Sequence, residues 1–141
     1  MREPTVTEDR SQIRLSEQGT ADREHIKDAL GLGDLQDAYR LAVAVALAKN
    51  LPPTPEELRR TVVYGAGVLD ASGALRASVL ALRNDHGGRP YALIERLAEA
   101  GLRDLAAHLN DGLPLRQYLA SLTPRQEEPS QNASGVSPAQ G

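Results

Sequence analysis

The chain has 141 residues, 40% of them hydrophobic and 25% charged, with a formal net charge of −3. That length suits one domain with a real core rather than two, and the acidic balance excludes a polycation that holds nucleic acid by bulk charge. Zero cysteines exclude disulfides, thiol catalysis and cysteine-ligated zinc.

No apolar run approaches the roughly 18 residues of a membrane helix. The longest, "LAVAVALA" at 41–48, reads as a buried helix. The opening "MREPTVTEDR" mixes charges of both signs and lacks the apolar centre of a signal peptide, so a cytoplasmic protein is expected. With no Phe or Trp and only four Tyr, the core is expected to be Leu, Ala and Val, which suits closely approaching helices. It offers no stacking platform for single-stranded nucleic acid.

In chain order, residues 1–10 are polar and expected to be disordered. In "SQIRLS" at 11–16, Ile13 and Leu15 face one way while Gln12, Arg14 and Ser16 face the other, the period-2 pattern of a short strand. "EQGT" is expected to turn the chain. A helix then starts at Thr20 or Asp22, with Ile26, Ala29 and Leu30 on one face. Gly31 or Gly33 suits the left-handed position after it, and Asp34 suits the N-cap of the next. That second helix, "LQDAYRLAVAVALAKN", places Leu35, Tyr39, Ala42, Val43, Ala46 and Leu47 on one broad face. Its last turn is apolar nearly all round, so it is buried on several sides, by its own domain or by a second subunit.

"LPPTPEEL" breaks the chain at Pro52 and Pro53. Thr54 as cap, Pro55 at the first helical position and Glu57 closing a capping box predict a short helix over 56–60. "TVVYGAGVLDASG" is a short strand or a loop, and Asp70 or Ser72 caps a further helix, "ALRASVLALRND". After the turn "HGGRP" comes the strongest pattern, a helix over 91–109. Its apolar stripe is Ile94, Leu97, Ala98, Gly101, Leu105 and Leu109, and Glu95, Glu99 and Arg103 form what reads as a solvated opposite side. Gly101 inside it costs about 1 kcal/mol against alanine, which close approach by another backbone would offset. "DGLPLRQYLASL" predicts a last short helix, and 123–141 is a disordered tail by composition. One mainly helical domain over 11–122 is therefore expected.

Chemistry-bearing motifs are few. "GLGDL" at 31–35 has no preceding strand, no third glycine and no lysine, so it is a turn between helices rather than a nucleotide loop. "NDHGGRP" sets His86 beside Asp85 and Arg89, but a glycine turn before a proline-initiated helix explains every residue. The histidines His25, His86 and His108 lack the spacing of a helical metal site. "NAS" at 132–134 is a chance match to a glycosylation acceptor. No catalytic residue, metal or cofactor is expected, and the protein is read as not an enzyme.

"SQIRLS", a turn, "ADREHIKDAL", a glycine turn and "DLQDAYRLAVAVALAK" together resemble a ribbon–helix–helix unit. The resemblance implies a strand that pairs antiparallel with its twin and enters the major groove of double-stranded DNA. Arg10, Gln12 and Arg14 would then read bases. The start of the second helix, with Leu35 and Gln36, would hold a phosphate. Ile13, Leu15, Tyr39, Val43, Val45 and Leu47 would form the interface of a homodimer or higher homo-oligomer. A wider pattern over about 11–122, including Ala98, Glu99, Gly101 and Leu105 as "A-E-x-G-x-x-x-L", resembles small bacterial proteins of DNA phosphorothioation and related anti-phage systems, the DndE-like group among them. That implies a DNA-associated accessory or regulatory protein of such a system. The alternative is an adaptor that binds the system's protein subunits and never contacts DNA.

Overall fold

A computed structural model of the chain describes residues 8–112 and Gln117. Its elements run β1 (Gln12–Leu15), α1 (Glu17–Leu30), α2 (Leu35–Ala48), β2 (Thr61–Gly65), α3 (Ala66–Leu69), α4 (Ala74–Leu82) and α5 (Pro90–Asn110). The described part is mainly helical, with one two-stranded antiparallel sheet. The expected helix within 113–122 and the expected tail at 123–141 lie outside the described residues, Gln117 apart.

Local chemistry accounts for the helix ends. Asp34 caps α2 by accepting the Gln36 N–H, and Gly31 closes α1 at φ 66°. Asp70 accepts the N–H groups of Leu75 and Arg76, and Ser72 that of Ala74, so both expected residues serve α4. The cap of α5 comes from far away in sequence: Asp9 Oδ2 and Oδ1 accept the N–H groups of Tyr91 and Ala92, each at 2.9 Å. Residues 8–10 are therefore held in place, a correction to the disorder expected there; the rest of that expectation, over 1–7, lies outside the described residues.

Two further expectations change. "EQGT" does not turn the chain; it is the first turn of α1, which Ser16 caps by accepting the Gly19 N–H. Gly19 permits this because a Cβ there would strike the Glu99 carboxylate and Leu15. Nor does 56–60 form a helix. Arg60 folds its guanidinium into the loop instead. Nη1 donates to the carbonyls of Glu56 and Leu58, and Nη2 donates to Thr54 Oγ1 and the Pro55 carbonyl. Carbonyls turned toward a buried cation cannot serve a helical ladder.

Helix α5 is the centrepiece, packed on α2, α1, α4 and β1. Its Gly101 lies so close to α2 that a Cβ would fall on the Ala42 carbonyl, the close approach anticipated for it. One contiguous core joins Ile13, Leu15, Ile26, Tyr39, Val43, Val45, Leu97, Leu102 and Leu105. Helix α2 is thus enclosed by its own chain. Ile13, Leu15, Tyr39, Val43 and Val45 are all 0% exposed and Leu47 is half-buried, so the residues expected at a dimer interface are core instead.

Candidate functional site

The small sheet and the face of α5 beneath it hold the most distinctive chemistry. Strand β1 pairs with β2 of the same chain: Gln12 opposite Gly65, Ile13 opposite Tyr64, Arg14 opposite Val62 and Leu15 opposite Thr61, with an irregularity between Ile13 and Arg14. Alternate residues of an antiparallel strand direct their N–H and C=O groups to opposite sides. Arg14 and Ser16 turn theirs away from β2, and buried carboxylates meet them. The Arg14 N–H donates to Glu95 Oε2 at 2.9 Å and the Ser16 N–H to Glu99 Oε1 at 3.1 Å.

Glu95 and Glu99 are 1% and 0% exposed, which corrects the solvated side expected for them; only Arg103 of that trio is exposed. The reason is a ready set of donors. Arg14 grips Glu95 with Nε at 3.0 Å and Nη2 at 2.9 Å, and Arg10 Nε lies 3.0 Å from the same carboxylate. Glu99 accepts a hydrogen bond from the Ser16 hydroxyl, and the wholly buried Arg60 side chain places Nε 3.7 Å away. The hydrogen bond to Glu95 holds the Arg14 pKa above its ordinary value, while burial lowers that of Arg60 against the pull of Glu95 and Glu99. Tyr39 lies beneath, its hydroxyl 3.4 Å from the Arg14 carbonyl, and burial drives its pKa far up. Tyr64 stacks edge-on against Tyr39 at 5.4 Å and accepts from Arg23 Nη1 at 2.9 Å.

The structure gathers three of the expected DNA readers. Arg10, Gln12 and Arg14 line one hollow of about 240 Å³ with Asp9, Ser11 and Val62. Both arginines there are engaged by Glu95, so the hollow presents no uncompensated pair of cations. Leu35 and Gln36 lie elsewhere, in the first turn of α2. There the Gln36 N–H is already taken by Asp34 at 2.7 Å and its side chain accepts from Arg40 at 2.8 Å. An acidic cap occupies the donors that a phosphate would need.

Strand β2 differs. Because Arg14 turns its N–H away from β2, the facing Val62 turns its own N–H and C=O away from β1. Among the described residues the sheet has no third strand, so this edge of β2 is open, and Val62 is 51% exposed. Sequence reading missed both edges. A signal existed for one of them: Glu95 and Glu99 fall on one helical row with Leu102 and Ala106, and a row that continues apolar faces the core.

The other motifs resolve as structure. Asp85 is bound by Arg83 at 2.7 and 3.0 Å, and that bond lowers its pKa. His86 Nδ1 accepts the Gly88 N–H, and Arg89 donates to the Glu8 carbonyl. Gly87 and Gly88 adopt φ of 61° and 78°, as a glycine turn requires. Among the described residues, no three His, Asp or Glu side chains are grouped to hold a metal ion. The fold thus defines a mainly helical domain carrying one short, half-open sheet. Compared with protein families, curated proteins and solved structures, the chain matches none.

Proposed function

We propose that this chain is a non-enzymatic protein-interaction adaptor that takes up an extended segment of its partner as a third strand beside β2. One observation carries the reading: a sheet whose β1 edge is closed by buried carboxylates leaves the β2 edge open at Val62. An unpaired strand edge is a template for strand addition, in which backbone hydrogen bonds supply affinity and alternate side chains supply specificity. "TVVYG" suits it, being uncharged, β-branched and free of proline. The engaged state of Arg10 and Arg14 supports this reading over a DNA-reading ribbon. The resemblance to DndE-like proteins supports, within the same proposal, a partner among the subunits of a DNA-modification or anti-phage system.

The test pans a displayed library of short random peptides against the full chain and against Val62→Pro. Proline suits an edge position whose N–H faces solvent, yet it removes the donor an added strand needs. The expected result is enrichment of alternating apolar peptides on the wild type and none on the variant. Equal enrichment on both, or none on either, overturns the proposal. A gel-shift titration of a duplex at two salt concentrations serves as the counter-test: affinity falling steeply with salt would restore the DNA reading.

A further inference from the structure

Arg23 and Arg60 are both buried, and only one of them is fully engaged. Arg60 faces Glu99, and its guanidinium gives hydrogen bonds to three carbonyls and the Thr54 hydroxyl. Arg23, 7% exposed, lies on the inner face of α1 with Gly19, Asp22 and Ile26. It forms one hydrogen bond, from Nη1 to the Tyr64 hydroxyl at 2.9 Å, and its Cζ stands 5.4 Å from the centre of that ring. Its buried Nε meets no acceptor among the described residues, and no carboxylate among them pairs with it. Asp22, next to it in the chain, accepts from Gln18 Nε2 instead. Asp34 and Arg40 bear on Tyr64 in opposite senses, and both have other work. Asp34 caps α2, and Arg40 binds Asp37, Gln36 and the Leu69 carbonyl.

A guanidinium keeps its charge in proteins, so Arg23 cannot relieve its burial by losing a proton. The face of a tyrosine and one neutral hydrogen bond offset only part of the cost of taking a cation out of water. The molecule thus holds a fixed positive charge with donors to spare.

The position of that charge says what would answer it. Tyr64 belongs to β2, so the spare donors of Arg23 are held against the strand whose edge is open among the described residues. A strand laid beside β2 would lie about 4.8 Å from it, and alternate side chains would point to the face that Tyr64 occupies. "TVVYG" itself carries no charge, and backbone pairing along it accepts any extended sequence. A cation fixed beneath it is what would tell one such sequence from another.

We infer that Arg23 selects the partner: the segment that adds to β2 carries an Asp or Glu on the side facing Tyr64, and that carboxylate pairs with Arg23 through donors that Tyr64 leaves unused. This rests on strand addition at β2 and names the chemistry of the strand that is added.

The test uses the peptides enriched on the full chain. Their alternating apolar pattern should hold one position as Asp or Glu. Changing that residue to Asn or Gln should weaken binding to the wild type at least about tenfold by titration calorimetry, the scale of a charge-assisted hydrogen bond. On Arg23→Met, which keeps the apolar stem and removes the cation, the same change should alter affinity less than about twofold. Arg23→Met should also lower the urea midpoint less than Arg14→Met does, because Arg14 has a carboxylate partner to strand and Arg23 has none. Peptides that bind the wild type, fail on Val62→Pro and hold no acidic position would overturn this inference and leave strand addition standing. An acidic position whose loss costs as much on Arg23→Met as on the wild type would do the same. Peptides that bind Val62→Pro as well as the wild type would overturn both. A midpoint lowered as far as that of Arg14→Met, or failure of Arg23→Met to fold, would mean that the chain supplies the counter-charge itself, and would also overturn the inference.

Discussion

The two strands of this small sheet meet their surroundings in opposite ways. Strand β1, "QIRL", is the more polar, yet its outer edge is sealed: Glu95 and Glu99 of α5 take the N–H groups of Arg14 and Ser16. Strand β2, "TVVYG", carries no charge, yet among the described residues its outer edge is open, and Val62 is half in water. The strand's own polarity predicts neither outcome. What decides is which side chains another element delivers to that edge, and here a helix some 80 residues along delivers two carboxylates to one strand only.

Unsealing the closed edge should cost the most. Glu95→Ala removes the partner of two guanidinium groups and of a backbone N–H at a site 1% exposed. Removing one member of a buried ion pair costs about 3–5 kcal/mol, because the other members keep their desolvation penalty. Urea denaturation should show that loss. A change under about 1 kcal/mol, the scale of an exposed pair, would mean the seal is not structural.

Arg14→Ala comes next. It leaves Glu95 with Arg10 and the Arg14 N–H, so the expected loss is that of charge-assisted hydrogen bonds, about 1.5–3 kcal/mol. This variant discriminates between the two roles, because a base-reading arginine points into solvent and its removal leaves stability nearly unchanged. Equilibrium unfolding of Arg14→Ala therefore separates a clasp of the closed edge from a reader on an open one.

Alkaline titration sets Tyr39 of α2, beneath the sheet, against Tyr64 of β2. Tyr39 lies under the sealed strand and burial pushes it far above its ordinary value of 10.0, with Glu95 and Glu99 adding to the rise. Tyr64 belongs to the open strand and is raised also, by burial, against the opposing pull of Arg23. Tyr91, by burial and its bond to Asp70, is pushed up to about 12. A raised folded pKa favours the protonated form, so this stability is complete below the unfolded value near 10. It is lost as pH rises through the folded values. Tyrosinate absorbance should show Tyr64 ionising before Tyr39, and Tyr39 only as the fold opens; Phe variants assign the steps. Tyr39 ionising first would remove the distinction between the two edges.

Much of the helical frame was legible because its signals are local. Asp34 caps, Gly31 stops, Pro90 starts and Gly101 admits a neighbouring backbone, each within a few residues of its effect. The candidate site was not legible, because every part of it is non-local. The partner of β1 is β2 rather than a twin chain, and the cap of α5 is Asp9. The acceptors for Arg14 and Ser16 lie on a helix face that reads as charged and therefore solvated. Ser16 caps α1 only because Gly19 leaves room for Glu99, a fit between residues 80 positions apart. Arg60 likewise overrides a well-formed capping box at Thr54 by drawing the loop's carbonyls around itself. Propensity measures what a segment prefers alone, and a buried ion network outweighs it.

The least change in stability is expected at Val62, directly opposite Arg14 in the ladder. Its side chain is 51% exposed and its N–H and C=O face away from β1, so Val62→Lys removes no packed contact of consequence. Surface substitutions of that kind stay within about 0.5 kcal/mol. Stability should therefore separate the two faces of one cross-strand pair, with Arg14→Ala costly and Val62→Lys nearly silent. Association should separate them in the opposite sense. A lysine on an open edge opposes strand addition by placing a charge where a neighbouring strand must desolvate it. A peptide selected on the wild type should accordingly lose at least tenfold in affinity for Val62→Lys, measured by titration calorimetry, while Arg14→Ala, under conditions where it stays folded, should bind it as the wild type does. If Val62→Lys unfolds the chain, the β2 edge is packed rather than open. If it leaves peptide affinity intact, the strand is bare but idle.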